Sequence, residues 1–273
     1  MSARNNKANK AAARERIRVE RERQAKKERL RRQLIVAGST VGVLALAGGI
    51  GYGVMQANKP DGWDAAKDAK NVTAPKNTSG ENGTTVVLGK ADAKKTLELY
   101  EDSRCPACAA FEQSVGETMK KDIAAGKYKV QYVGATFIDN MASGEGSKNA
   151  LSALGAALDV SPEAFADYKA ALYSKKFFPE ESKDEFAKDS YLLKVADSVP
   201  ALKDNATFEK NVKDGTFDAW AMKMSAKFEK SGVQGTPTLK MDGKKVTGED
   251  GKGSPMTPAD YNKALDKALG AAS

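Results

Sequence analysis

Residues 104–109 read Arg-Cys-Pro-Ala-Cys-Ala. Cys105 and Cys108 are the chain's two cysteines, and its 273 residues include no histidine. A purely structural disulfide gains stability by closing a long loop, and this loop is nearly the shortest possible. A structural zinc site takes about four nitrogen or sulfur ligands, which two cysteines cannot supply. Without histidine there is also no Ser-His-Asp or Cys-His hydrolase and no imidazole base. The reading that uses both residues is chemistry between the two thiols. Half of a zinc site shared with another subunit, or two unrelated buried cysteines, are the competing readings.

The flanking pattern supports redox chemistry. Thr96–Tyr100 reads as a strand. Residues 105–125 read as a helix, with Phe111, Val115, Met119 and Ile123 close to one stripe. Cys105 then sits where a strand hands over to a helix. The partial positive charge of the first amides there favours thiolate over thiol. Thiolate is the form that attacks a disulfide. Pro106 falls in the first turn, where its missing N–H and fixed φ suit a helix start. Cys105 is expected to attack and Cys108 to resolve the mixed disulfide. Asp102 and Arg104 flank the pair, as tuners of its field or as soluble loop residues. Phe111, Trp220, Phe228, Met222 and Met224 read as core.

Elsewhere, Thr84–Leu88 and Tyr128–Val133 read as strands, and residues 146–230 turn helical. Helices are expected near 148–158, from Ser161-Pro162 onward, and near 183–198 and 205–229. Strand Thr238–Met241 leads through Asp242-Gly243 into a hairpin, and helix Pro258–Leu269 follows a Thr257 cap. Strands and helices alternate around one all-helical block, an α/β pattern. Far from the cysteines, Gly232-Val233-Gln234-Gly235-Thr236-Pro237-Thr238 alone reads as a turn before a strand.

Taken together, Tyr100-Glu101-Asp102 before Cys105-Pro106-Ala107-Cys108, then Phe111, then the Gly-Thr-Pro-Thr segment resemble the DsbA-like thiol-disulfide oxidoreductases of the thioredoxin superfamily. The resemblance is nearest to membrane-anchored actinobacterial forms and covers roughly residues 84–270. It implies a thioredoxin fold with a helical domain inserted at about 146–230. It implies a cis Thr236–Pro237 bond beside the cysteines, with Pro106 and Ala107 supporting the pair. Gly235 and the Thr236 backbone would hold an extended substrate strand. No cofactor is implied beyond a redox-active Cys105–Cys108 disulfide. The implied partners are exported cysteine-containing proteins and a membrane reoxidant of DsbB or VKOR type. Two positions depart from the pattern. Ala107 stands where the enteric members carry histidine, which removes one group that stabilises the thiolate. Leu99 stands six positions before the first cysteine, where a buried acid is often found. Glu98 points away from Leu99 by strand alternation. Glu98 and Glu101 both read as solvated strand carboxylates, with a proton-transfer role as the lesser reading.

The N-terminal third sets the expected location. Residues 1–33 carry 13 Lys/Arg and 4 Asp/Glu, and the remaining residues carry 31 and 32. The net charge of +8 therefore belongs to a tail, and a basic nucleic-acid groove on the globular part is not supported. From Gln33 to Asn58 there is no charge, enough for about 20 helical residues of membrane span. We expect a basic cytoplasmic tail at 1–33, a transmembrane helix at 34–57, a flexible linker at 58–83 and an extracytoplasmic domain, by the positive-inside rule. A cleaved signal peptide ending near Ala47 and a twin-arginine signal at Arg31-Arg32 are the alternatives. Asn71-Val72-Thr73 and Asn77-Thr78-Ser79 match glycosylation sequons, at a length that arises often by chance. The expected function is an anchored oxidase that makes disulfides in exported proteins. The alternatives are a reductase or isomerase of the same fold, or a chaperone with an incidental cysteine pair.

Overall fold

The computed structural model describes residues 62–180 and 183–270. The expected tail at 1–33 and span at 34–57 lie outside the described residues. Among the described residues, no helix is long and apolar enough to cross a membrane. The centre is a five-stranded sheet of order β1-β3-β2-β4-β5. Its strands are β1 (Val86–Leu88), β2 (Thr96–Asp102), β3 (Lys129–Ala135), β4 (Thr238–Met241) and β5 (Lys244–Lys245). β2 and β3 run parallel, with Leu99 opposite Tyr132. β4 runs antiparallel to β2, with Leu99 opposite Leu239. β1 and β5 close the two edges as antiparallel strands. Leu97 and Leu99 are buried, as alternation in a sheet covered by helices requires.

Helix α2 (Pro106–Ala125) connects β2 to β3 and buries Phe111, Val115 and Met119. It ends at Gly126, whose φ of 78° is a left-handed cap that a side chain would strain. After β3 comes the short α3 (Phe137–Met141), which the sequence pattern did not suggest. The helical insert follows: α4 (Gly146–Val160), α5 (Pro162–Leu172), α6 (Asp189–Ala196), α7 (Ala206–Lys213) and α8 (Asp218–Lys230). The Ser161 side chain caps α5 by accepting from Ala164 N–H. The single helix expected over 205–229 is two, because Gly215 turns the chain at φ 61° between them. α4 is buried on nearly every side, and its small residues let neighbours approach closely. A Cβ at Gly155 would lie 2.9 Å from the Trp220 ring. α9 (Pro258–Leu269) covers α2, capped by the Thr257 hydroxyl.

The expected flexible linker is corrected over its described part. Residues 62–83 form a strap docked on the insert, starting with α1 (Gly62–Asp68). Ala66 is buried, Val72 packs on the core, and the Trp63 ring lies 5.5 Å from Lys148 Nζ. Lys76 pairs with Asp159 at 3.0 Å. The Asn77 amide donates to Leu158 O, so the side chain of that sequon is tied to α4 although the residue is exposed. Trp220 Nε1 donates to Gly83 O at 2.9 Å, both buried. Few apolar residues mark the strap, so its composition reads as a tether, yet Ala66 and Val72 are covered by the fold. A chain beginning at Thr84 loses the partner of the Trp220 indole along with this packing. It is expected to be a few kcal/mol less stable than one beginning at Gly62, an unfolding midpoint lower by roughly 5–10 °C in a thermal scan.

Candidate active site

Cys105 is the residue before the first turn of α2, with extended backbone (φ −73°, ψ 117°). β2 delivers it there through only Ser103 and Arg104, and Cys105 N–H donates to Asp102 O at 2.9 Å. Both cysteines are free thiols and both are buried, while Pro106 and Ala107 between them face solvent. The pair lies against Ala109, Tyr173, Ile138 and Phe178.

The distant Gly-Thr-Pro segment arrives at the same place because β4, which it precedes, pairs with β2. The Thr236–Pro237 peptide is cis. Cys105 Sγ donates to Thr236 O at 3.4 Å. The Thr236 hydroxyl is buried and has no hydrogen-bond partner among the described residues. Thr238 Oγ1 donates to Gly235 O at 2.7 Å and Ser254 Oγ to Pro237 O at 2.8 Å, which fixes the loop. The structure thus brings Cys105, Cys108 and Thr236 into contact, with Gly235 and Pro237 in the same loop.

The two thiols are electrostatically unlike. The Cys105 thiol is brought down from 9.0 to about 6 by a hydrogen bond from Cys108, against the opposing effect of burial. Thr236 and the Cys108 and Ala107 amides at the helix start add to it. Cys108 is pushed well up by burial, by its bond to Cys105 and by the charge of Glu101. These shifts favour loss of the proton at Cys105 and its retention at Cys108 at neutral pH.

Glu101 is the residue that sequence reasoning misplaced. It is fully buried, not a solvated strand carboxylate. Burial pushes it up to about 7, against the pull of Lys169. Lys169 Nζ, itself buried, lies 3.1 Å from Glu101 and 2.6 Å from Glu112. Burial works against the Lys169 charge, but the two carboxylates outweigh it and hold its pKa above the ordinary value. The signal was present in the strand: the alternation that turns Glu98 away from Leu99 puts Glu101 on Leu99's side, toward the helices. Glu98 accepts from the Tyr100 hydroxyl on the other side. Asp102 and Arg104 are also buried rather than soluble. Asp102 accepts from Arg104 N–H, Ile138 N–H and Ser147 Oγ, and burial pushes it up to about 6. Phe111, Trp220, Phe228 and Met224 are core, and Met222 is half-buried.

A redox-dependent stability follows from Cys105. Its folded pKa lies below its unfolded value, so between about pH 6 and 9 the unfolded reduced chain binds more protons than the folded one. The stability of the reduced form relative to the oxidised form is expected to rise across that window, because the oxidised form lacks this titration. Unfolding midpoints of both forms at pH 6, 7.5 and 9 measure it, and a constant gap contradicts it.

Among the described residues, no group of three or more cysteines or carboxylates is arranged to hold a metal. Comparison with known proteins finds the same fold. Disulfide bond formation protein D of Bacillus subtilis (strain 168) is 29% identical over 161 residues, covering 59% of this chain and 68% of the relative. The crystal structure of oxidised BdbD from Bacillus subtilis is 26% identical, with a TM-score of 0.55 over 73% of this chain and 100% of that one. MdbA from Actinomyces oris, a thiol-disulfide oxidoreductase, shares the fold at 19% identity, with a TM-score of 0.57 over 78% and 97% of the two chains. The family described as Thioredoxin matches residues 81–267, most of the chain and all of the sheet, and the chain belongs to that family.

Proposed function

We propose that the protein is an extracytoplasmic oxidase that donates its Cys105–Cys108 disulfide to exported proteins. That it is a protein disulfide oxidoreductase rests on the geometry of the pair and on its likeness to disulfide bond formation protein D. The observation that carries the oxidase direction is the contrast between an ionised Cys105 at the helix start and a buried, protonated Cys108. A substrate thiolate attacks Cys105 Sγ of the disulfide and forms a mixed disulfide, and Cys108 leaves and takes a proton. The substrate's second thiolate then attacks its own sulfur in that bond and releases Cys105 as a thiolate. A low-pKa leaving thiol speeds this last step and stabilises the reduced enzyme, which makes the disulfide a stronger oxidant.

Glu101 is the proton relay in this reading. A buried carboxyl near pH 7 can give a proton to Cys108 as it leaves and regain it through Lys169 and Glu112, whose side chain is 11% exposed. The exposed Pro106 and Ala107 and the half-buried Gly235 and Thr236 form the rim that receives an extended substrate segment. The reduced pair passes two electrons to a membrane reoxidant of DsbB or VKOR type. The uncharged run before residue 58 is the basis for the membrane anchor and the outside location.

The test mixes the oxidised protein with a reduced, unfolded protein carrying two cysteines. Transfer of one disulfide per enzyme, with loss of two substrate thiols and gain of two enzyme thiols, is expected. Substrate thiols left unchanged by an enzyme that stays oxidised contradict the reading.

A further inference from the structure

Arg104, the residue before the nucleophile, is 8% exposed, although no chemistry at the thiols calls for a buried guanidinium. Its Nη1 donates to Asp139 Oδ1 at 2.8 Å and reaches Ser143 O at 3.4 Å. Its Nε lies 3.2 Å from Asp184 Oδ1. Both carboxylates accept further hydrogen bonds. Asp139 accepts the Ser147 and Lys148 amides, and Asp184 accepts the Glu145 and Gly146 amides. These are the free N–H groups that open α4. The approach is close enough that a Cβ at Gly146 would lie 2.1 Å from Asp184 Oδ1 and 3.1 Å from the Arg104 side chain. Arg104 therefore ties the connector ahead of Cys105 to the first turn of the insert.

The last helix of the same insert leads into the other half of the site. α8 packs on α4 and β3, with Thr136 Oγ1 and Ser225 Oγ 2.7 Å apart, and it runs directly into the loop that carries Thr236. The insert thus holds Cys105 from one end and Thr236 from the other.

We infer that Arg104 is a positioning residue for the redox pair, fixing the gap between Cys105 and Thr236 by its fork to Asp139 and Asp184. This rests on the reading of Cys105 as the low-pKa thiol that forms the mixed disulfide. The fork is what matters. A planar guanidinium reaches two carboxylates at fixed angles, and an ammonium supplies the same charge without that geometry. The alternative is that Arg104 acts only through its charge, which favours a thiolate one residue away.

Two substitutions separate position from charge. Arg104→Lys keeps the charge and loses the fork. Asp184→Asn removes a negative charge and one anchor. If Arg104 positions Cys105, both variants raise the Cys105 pKa. Both then lower the equilibrium constant for oxidising glutathione by about five- to tenfold, and tenfold corresponds to about 30 mV for a two-electron couple. If only charge matters, Arg104→Lys leaves the pKa unchanged and Asp184→Asn lowers it. Thiolate absorbance at 240 nm against pH, with the glutathione equilibrium and a thermal scan on the full chain, reads these outcomes. Asp184 is one-quarter exposed, so its variant is expected to fold even if Arg104→Lys does not. Upward shifts in both folded variants support the inference, or in Asp184→Asn alone if Arg104→Lys does not fold. An unchanged Arg104→Lys, or a downward shift in Asp184→Asn, overturns it. If Cys105 does not ionise early in the wild-type chain, the underlying reading fails instead.

Discussion

Cys105→Ser is expected to abolish disulfide transfer, a fall of at least about a thousandfold to the level without enzyme. Serine cannot form the mixed disulfide, and the remaining thiol of Cys108 is buried and held in its protonated form. The second variant gives a different picture. In Cys108→Ser, Cys105 keeps its place beside the exposed Pro106 and Ala107. It can exchange into a substrate disulfide, but no neighbouring thiol resolves the product. Mixed disulfides through Cys105 are therefore expected to accumulate and to be visible on a non-reducing gel. Cys105→Ser is expected to give none. Transfer that survives in Cys105→Ser points to a chaperone with an incidental cysteine pair. Cys108→Ala, unlike Cys108→Ser, removes the donor of the hydrogen bond that contributes most to the low Cys105 pKa, so its Cys105 titration is expected to move upward.

The largest effect on stability is expected at Lys169. Lys169→Met leaves Glu101 fully buried and Glu112 nearly so, without their shared cation. Breaking a buried ion pair from one side costs about 3–5 kcal/mol, or an unfolding midpoint lower by about 10 °C in a chain of this size. Glu101 is then expected to stay protonated to higher pH, since the charge that pulls against burial is gone. Replacing the buried acid as well, in Lys169→Met with Glu101→Leu, removes much of the penalty, because an apolar pair of similar size tolerates burial. That double variant is expected to recover much of the stability while its transfer rate stays low, since the group that exchanges a proton with Cys108 is absent. Recovery of both stability and full transfer rate contradicts the relay role of Glu101. The raised pKa has its own signature. Glu101 goes from 4.5 to about 7 on folding, so its contribution is fully present below about pH 4.5 and is lost as pH rises through about 7.

The sequence carries the site's two halves openly because each is a local signal. Two thiols three residues apart after a strand, and a Thr-Pro before another strand, are read from adjacent residues. β4 and α9 lie where their turn and cap residues put them. The connections between distant positions were not legible. Lys169 lies 68 positions after Glu101, and nothing in either neighbourhood marks the pair. Arg104 and Asp102 read as loop residues because their partners, Asp139, Ser147 and Asp184, come from the insert. The strap read as a tether for a related reason. Its anchors are single residues, Ala66, Val72, Asn77 and Gly83, too sparse for a periodic pattern. Gly215 split a helical stretch with a left-handed φ that composition alone does not announce. Alternation was strong enough to place Glu101 on the helix-covered face, and the missing step was to extend it two residues beyond Leu99.

The most direct test of the account is the reduction potential of the Cys105–Cys108 pair in the full chain, equilibrated against glutathione. A thiolate held near pH 6 beside a buried thiol stabilises the reduced state, so the expected value lies above about −180 mV, with the disulfide donors. A value near or below about −270 mV places the pair with the thioredoxin-like reductants and contradicts the account.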